Sequence, residues 1–287
     1  MHKPSTANCL VALLFFCTAA FAADPLARAD SLYALRAQGA IGDRAQRQPA
    51  IAAIAAYREA VAANPDRIDA HWKLLRALFF EAQYTGHDRE ERKVLSAQAR
   101  DQAEESIARI AKAHGGKKLW EKGTRAQLAA HCNPDDAAQL YLWSAISWAQ
   151  WGRASGAASA IGSGLAKRLR DYAERVIELD PDCEYGGGQR LLSGLHARLP
   201  RVPFITGFIR KDKALPLAEQ ALAIDSDYPG NRYLYATTLL KLDPTRREQA
   251  LAMLTRLATE KSSGPWRVEW QNLCKRAQRW LDREQTP

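Results

Sequence analysis

The chain has 287 residues, 47% of them hydrophobic and 25% charged, a globular composition with enough length for one large domain or two small ones. Its 17 glycines and 13 prolines are too few for wholesale disorder. A formal charge of +9 suits an anionic partner, but the bases alternate with acids, as in "REERK" and "RDYAERVIELD". That pattern makes solvated helix faces and argues against nucleic acid as the partner.

The first segment reads as an export signal. His2 and Lys3 give a basic start, residues 10–16 are apolar, and Ala20-Phe21-Ala22 fits a small-x-small cleavage site. The expectation is a signal peptide over 1–22 and one mature all-helical domain over 23–287, placed in the periplasm. A buried N-terminal helix is the alternative. A lipid anchor at Cys17 is disfavoured because Phe16 stands where a lipobox needs a small residue. The apolar run is too short to span a bilayer, and no later stretch is long enough. Cleavage leaves Cys132, Cys183 and Cys274, an odd set with no CxxC. That spacing points away from zinc and redox chemistry, allows at most one disulfide, and suits small buried hydrophobes.

Helical period then runs through nearly every long segment. "PAIAAIAAYREAVAANP" places Ile51, Ile54, Tyr57 and Val61 on one stripe. Asp88, after Gly86 and His87, is a plausible N-cap for a helix from Arg89. "ARDQAEESIARIAKAHGG" sets Ala103, Ile107 and Ile110 in line before Gly115 and Gly116 stop it.

"DDAAQLYLWSAISWAQWGR" puts Tyr141, Trp148 and Trp151 on one face with Ser144 between them, while Trp143 points elsewhere. So much indole either lines a cleft for an apolar or peptide-like ligand or buries the helix on two sides. "GRASGAASAIGSG" after it is a flexible loop, a site of very close helix packing, or room left for a cavity.

"RLRDYAERVIELDP" aligns Leu169, Ala173, Val176 and Ile177 before Pro181. "YGGGQR" is a tight turn between helices, or a row of backbone N–H groups for an anion. In "LPRVPFITGFIRKDKAL" Pro200 ends a helix and Pro203 keeps the chain extended. Val202, Phe204, Ile205, Phe208 and Ile209 then act as apolar anchors of an ordered crossover, buried against the helices or lining the cleft. On that reading Phe204→Ala costs several kcal/mol, as for any buried aromatic. Asp212 precedes the next helix, where Leu215, Ala218 and Leu222 share a side; Ala250, Leu254 and Leu257 mark another. No alternating strand pattern appears outside the crossover, so the fold class is all-α.

Several helices share a signature: small residues at fixed spacing, with a helix stop five residues on. Ala53, Tyr57, Ala60 and Pro65 fit a tetratricopeptide second helix. Ala173, Val176 and Pro181 fit more loosely, as do Ala214, Ala218, Ala221 and Ser226. A large residue follows seven positions after Pro65, Pro134 and Ser226, at Trp72, Tyr141 and Tyr233. The expected architecture is a degenerate helix-pair solenoid with an irregular crossover; a generic helical domain is the alternative.

Catalytic signatures are missing: there is no HExxH, GxSxG or Walker loop. His71 and His131 have no carboxylate or second histidine at ligand spacing. The reading is therefore a binding protein and not an enzyme, with no cofactor and no metal. The ligand-cleft candidates are Tyr141, Ser144, Trp148, Trp151, Phe204 and Phe208.

Five stretches, "DAHWKLLRALFFEAQYTGHDREER", "YLWSAISWAQWG", "GLAKRLRDYAERVIELDP", "YGGGQRLLSGLHARLPRVPFITGFIRKDKAL" and the helices after it, carry a family likeness. Together they resemble the TatT family, periplasmic tetratricopeptide-like proteins associated with TRAP (tripartite ATP-independent periplasmic) transporters. The likeness runs from about Asp66 to about Leu242. It implies an all-helical fold with degenerate repeats, a ligand cleft or pore, and a homo-oligomer, a trimer in the family. It also implies partnership with an extracytoplasmic solute-binding protein and a small hydrophobic or organic-acid ligand. Family members are often lipoproteins, from which Phe16-Cys17 departs. The family supplies no catalytic residues. A general periplasmic scaffold for envelope assembly, with no small-molecule ligand, is the competing function.

Overall fold

A computed structural model describes residues 24–264 and 266–285. Among them the chain is all-α, with helices packed one after another in a solenoid-like stack. In chain order they are α1 (Pro25–Ala34), α2 (Arg47–Ala63), α3 (Ile68–Tyr84), α4 (Arg89–Ala113) and the short α5 (Lys117–Lys122) and α6 (Arg125–Ala129). The order continues with α7 (Pro134–Ser155), the short α8 (Ala157–Gly162), α9 (Leu165–Leu179), α10 (Cys183–Arg198) and α11 (Ala214–Ile224). It ends with α12 (Pro229–Leu242), α13 (Arg247–Thr259) and α14 (Arg267–Gln285). The signal peptide over 1–22 and Cys17 lie outside the described residues. Among the described residues no helix is long and apolar enough to cross a membrane.

Local chemistry sets the helix starts. Asp88 accepts from the Glu91 backbone N–H while the Glu91 carboxylate accepts from that of Asp88, a closed capping box at the head of α4. Thr124 and Gln127 do the same for α6. At α7 the Asn133 side chain caps, Pro134 fills the first position, and Asp135 and Asp136 face the positive end of the helix dipole.

Small residues at repeat spacing set how closely the helices pair. Ala53, Tyr57 and Ala60 are buried on α2, Ala173 and Val176 on α9, and Ala214, Ala218 and Ala221 on α11. Ile51, expected on the α2 stripe, is exposed, because the buried face is the alanine face and Ile51 lies to its side. Gly152 on α7 belongs to the same device: a Cβ there would stand 2.2 Å from the Leu165 side chain. The small residues after Trp151 therefore extend α7 to Ser155 and seat it on α9.

The run "YGGGQR" lies within α10 itself. Glu184, Tyr185 and Gly186 all take left-handed backbone angles, with φ of 46°, 59° and 82°. Gly187 then packs on Leu142, and a Cβ at Gly188 would sit 2.9 Å from the Ala173 carbonyl oxygen. Two non-glycine residues at positive φ cost free energy and need outside bracing. Arg190 supplies some of it, donating from Nη2 to the Glu184 carbonyl (2.6 Å) and from Nη1 to that of Tyr185 (2.6 Å).

The crossover after α10 corrects an expectation. Its base is anchored: Ile209 and Thr206 are buried, and His196 Nδ1 accepts from the Arg210 backbone N–H at 3.1 Å. Its tip is not: Phe204 is 107% exposed, and Val202 and Ile205 also face solvent. Thr206 closes the loop on itself, donating to the Pro200 carbonyl (2.6 Å) and accepting from the Val202 N–H (2.8 Å). The turn so made points Phe204 outward. Truncating it costs the fold almost nothing, because there is no contact to lose.

Two histidines are held neutral by burial. His71 donates from Nε2 to the Pro65 carbonyl (2.9 Å) and shares a 2.8 Å bond from Nδ1 with Ser106. Burial lowers its pKa from 6.5. Burial also lowers that of His196, helped by the nearby Lys213. A depressed histidine pKa means the unfolded chain takes the proton first. Stability is therefore full above about pH 6.5 and falls as pH drops below it. The double variant His71→Gln/His196→Gln should show a shallower acid limb in urea denaturation midpoints followed from pH 7 to 5. An unchanged limb would mean these rings do not titrate with folding.

Candidate functional site

The stack curls until its last helix meets the segment that follows its first. Arg36, only 2% exposed, donates from Nε (3.0 Å) and Nη2 (2.8 Å) to one carboxylate oxygen of Glu269 on α14. Its guanidinium lies 4.4 Å from the Tyr33 ring centre and 4.5 Å from that of Trp266. Arg267 donates to the carbonyls of Ala37 (2.9 Å) and Ala40 (3.1 Å), and Asn272 and Lys275 both reach Asp43. Burial raises the Glu269 pKa even with Arg36 beside it, and its second oxygen is buried without a partner.

This closure leaves a cleft of about 290 Å³ on the inner side, lined from α1, α3, α7, α10, α12 and α14. Such a volume lies at the small end for organic ligands. The walls are aromatic. Phe79 and Trp143 stand 5.8 Å apart, Phe79 and Tyr84 meet edge to face at 6.0 Å, and Tyr33, Tyr228, Tyr233 and Trp266 complete the lining. Burial pushes the Tyr33 hydroxyl up to about 12 and raises those of Tyr84 and Tyr228, so all three stay protonated.

The charges sort into matched and unmatched. Glu269 is matched by Arg36. Arg190 is held by the left-handed turn and by the side chain of Asn231 (2.9 Å), on the same lip as Glu184. Asn231 is fully buried, and its amide donates toward the carbonyls of Tyr185 (3.0 Å), Ala221 (2.7 Å) and Asp225 (2.8 Å). Tyr185 stacks on Tyr228 at 4.6 Å. That lip is thus fixed from several directions.

Arg198 and Arg276 form the unmatched end: among the described residues neither has a carboxylate in ion-pair range. Arg276 lies 4.4 Å from the Tyr233 ring centre. Arg198 lines the cleft and is exposed to water, with part of its side chain desolvated by its neighbours. That desolvation lowers its pKa, and so does the charge of Arg276; it stays cationic at neutral pH. Arg153 feels both of these arginines. It lines a second recess of about 290 Å³ with Arg89, Arg92, Gln83 and Gln150, and no carboxylate lines that recess. One end of the cleft therefore presents guanidinium groups without counter-ions beside an aromatic wall, the arrangement that takes a carboxylate with an apolar body.

The residues expected to form the cleft lie elsewhere. Tyr141 is buried against Trp120 (5.8 Å, stacked) and donates to the Trp120 carbonyl at 3.0 Å. Ser144 is fully buried with an unpartnered hydroxyl. Trp148 donates to Glu104 at 2.7 Å under the guanidinium of Arg168, 4.5 Å from its ring centre. Trp151 meets Trp148 edge to face at 5.5 Å beneath Arg100. This face of α7 packs on α4 and α9, so the helix is buried on two sides. Phe204 is in solvent, and Phe208 is half-buried under Arg170, 4.6 Å from its ring centre.

The correction has a physical form: α7 does line the cleft, but through Leu142, Trp143 and Ile146 on its opposite side. The isolation of Trp143 from the main indole face was the signal. The arginines gave none, because each comes from a different helix.

Cys132, Cys183 and Cys274 are free thiols, each with its pKa raised by burial. Among the described residues no three His, Cys, Asp or Glu side chains gather as metal ligands. No protein-family model and no curated protein matches this chain.

Proposed function

We propose that this protein binds a small organic acid with an apolar body in the cleft between α3, α7, α10, α12 and α14. The observation that carries the reading is the pairing of an aromatic wall with Arg198 and Arg276, two guanidinium groups without a carboxylate partner. A guanidinium fork recognises a carboxylate with two parallel hydrogen bonds, and the rings shelter the rest of the ligand from water. On the TatT resemblance, and with the support of the acid-binding cleft, we read the chain as a periplasmic helical-repeat component of a TRAP-type uptake system. It would exchange its ligand with an extracytoplasmic solute-binding protein and work as a homotrimer.

Native mass spectrometry of protein isolated gently from its source should show a small acidic adduct. Arg198→Gln/Arg276→Gln should lack that adduct while melting as the wild type does. An adduct that is uncharged, or that survives the double substitution, would sink the carboxylate reading. The partner is tested separately, by gel filtration of the protein with the solute-binding protein of a TRAP system from the same organism. Two independent peaks would remove the TRAP assignment and leave the cleft untouched.

A further inference from the structure

The crossover tip stands out from the rest of the molecule. Phe204 carries φ of 63°, a left-handed angle that a bulky side chain adopts only under constraint, and its ring touches nothing in the protein. The constraint is local. The N–H of Ile205 bonds the carbonyls of Val202 (3.2 Å) and Pro203 (2.8 Å), that of Thr206 bonds Val202 (2.8 Å), and Arg201 donates to the Gly207 carbonyl (3.1 Å). The loop is a compact, internally bonded projection anchored by Thr206 and Ile209. Its outward face is Val202, Phe204 and Ile205.

Basic residues surround its base. Arg201, Arg210, Lys211 and Lys213 are all exposed, and partial desolvation, with Lys241 nearby, lowers the Lys211 pKa. Lys211 is tethered to the carbonyls of Ala197 (2.9 Å) and Leu199 (3.0 Å), which fixes its position. Within the stretch 199–215 the acid is Asp212, bonded to Arg210 at 3.1 and 2.9 Å. Positive charge exceeds negative around an apolar point.

We infer that the loop at residues 200–210 is a membrane-contact element, its Val202–Phe204–Ile205 tip entering the headgroup boundary of an anionic bilayer while the basic collar engages lipid phosphates. An apolar projection ringed by cations matches the layering of such a surface, apolar beneath and negative above. A protein-binding hot spot would present a packed aromatic patch with a polar rim, which three side chains on one narrow turn do not make. The stored left-handed angle at Phe204 then has a use: it holds the ring out before contact, so no ordering is needed on binding.

The test separates this role from stability. Phe204→Gly relieves the backbone strain, so its melting temperature should equal or exceed the wild type's. It should still lose about tenfold or more of the affinity for vesicles of phosphatidylglycerol and phosphatidylethanolamine in a sedimentation assay. Wild-type binding should weaken in high salt and be poor on phosphatidylcholine vesicles. Phe204→Trp, which keeps a large ring, should bind like wild type and be quenched by brominated phosphatidylglycerol. Failure of the wild type to pellet with the anionic vesicles overturns the inference. So does Phe204→Gly pelleting as the wild type does, or self-association that disappears with Phe204→Gly, which would give the tip to a second copy of the chain.

Discussion

Arg36→Ala should lower the unfolding free energy by about 3–5 kcal/mol, the cost of removing one partner from a buried ion pair. The reason is the residue left behind. Glu269 loses both hydrogen bonds from Arg36, and its second oxygen already has none. The rings of Tyr33, Phe80 and Trp266 also lose the cation they surround.

The defect should depend on pH with a definite sign. Burial raises the Glu269 pKa above its ordinary 4.5, and loss of Arg36 raises it further. Below that pKa the carboxyl is protonated and carries no unpaired charge. The deficit is therefore small in acid and grows as pH rises through the folded pKa. Urea denaturation of wild type and variant from pH 4 to 8 would show it. A deficit independent of pH would mean that Arg36 acts through packing alone. Arg36→Ala/Glu269→Gln should recover part of the loss at neutral pH, since the amide carries no charge.

Asn231→Ala should cost about 2–4 kcal/mol, since each buried polar group left without a partner costs about 1–3 kcal/mol. The side-chain amide serves three carbonyls, one from the turn in α10 and two from the end of α11, and its oxygen accepts from Arg190. Without it the left-handed turn at Glu184, Tyr185 and Gly186 keeps Arg190 as its remaining side-chain hydrogen-bond brace, beside the Tyr185–Tyr228 stack. Asn231→Asp should be no better despite its shape, because it turns a double donor into an acceptor that faces carbonyl oxygens. Near-UV circular dichroism should report loosening of the Tyr185–Tyr228 stack in both variants. An Asn231→Asp protein as stable as wild type would show that the amide donors are not what holds the turn.

Much of the architecture can be read in the sequence, because helical period and small-residue spacing are local. Ala53, Tyr57 and Ala60 recur at distances one helix imposes, and the matching positions on α9 and α11 are buried in the same way. The Asp88 cap is legible for the same reason. The cleft is not, because it is assembled over long range. Tyr33, Trp143, Arg198 and Arg276 are brought together only when the stack curls and α14 returns to the segment after α1. Nothing within a window of twenty residues marks Arg36 as the partner of Glu269, 233 positions away.

The tryptophans of α7 lie away from this cleft for a physical reason: a helix packed against neighbours on two sides needs bulky side chains on more than one face, and the richer face packs on α4 and α9. Phe204 departs from its expected burial, which an apolar residue in a crossover between helices normally has. Here a hydrogen-bonded turn overrides that preference.

The central claim is that the cleft selects a carboxylate through Arg198 and Arg276 against an aromatic wall. Its most direct test is calorimetric titration of the purified protein with a series of medium-chain and aryl carboxylic acids and with their neutral amides. At least one acid should bind with a negative heat-capacity change from apolar burial, its amide at least tenfold more weakly, and the difference should vanish in Arg198→Gln/Arg276→Gln. Acids and amides that bind equally, or an acid whose affinity survives the double substitution, would contradict it.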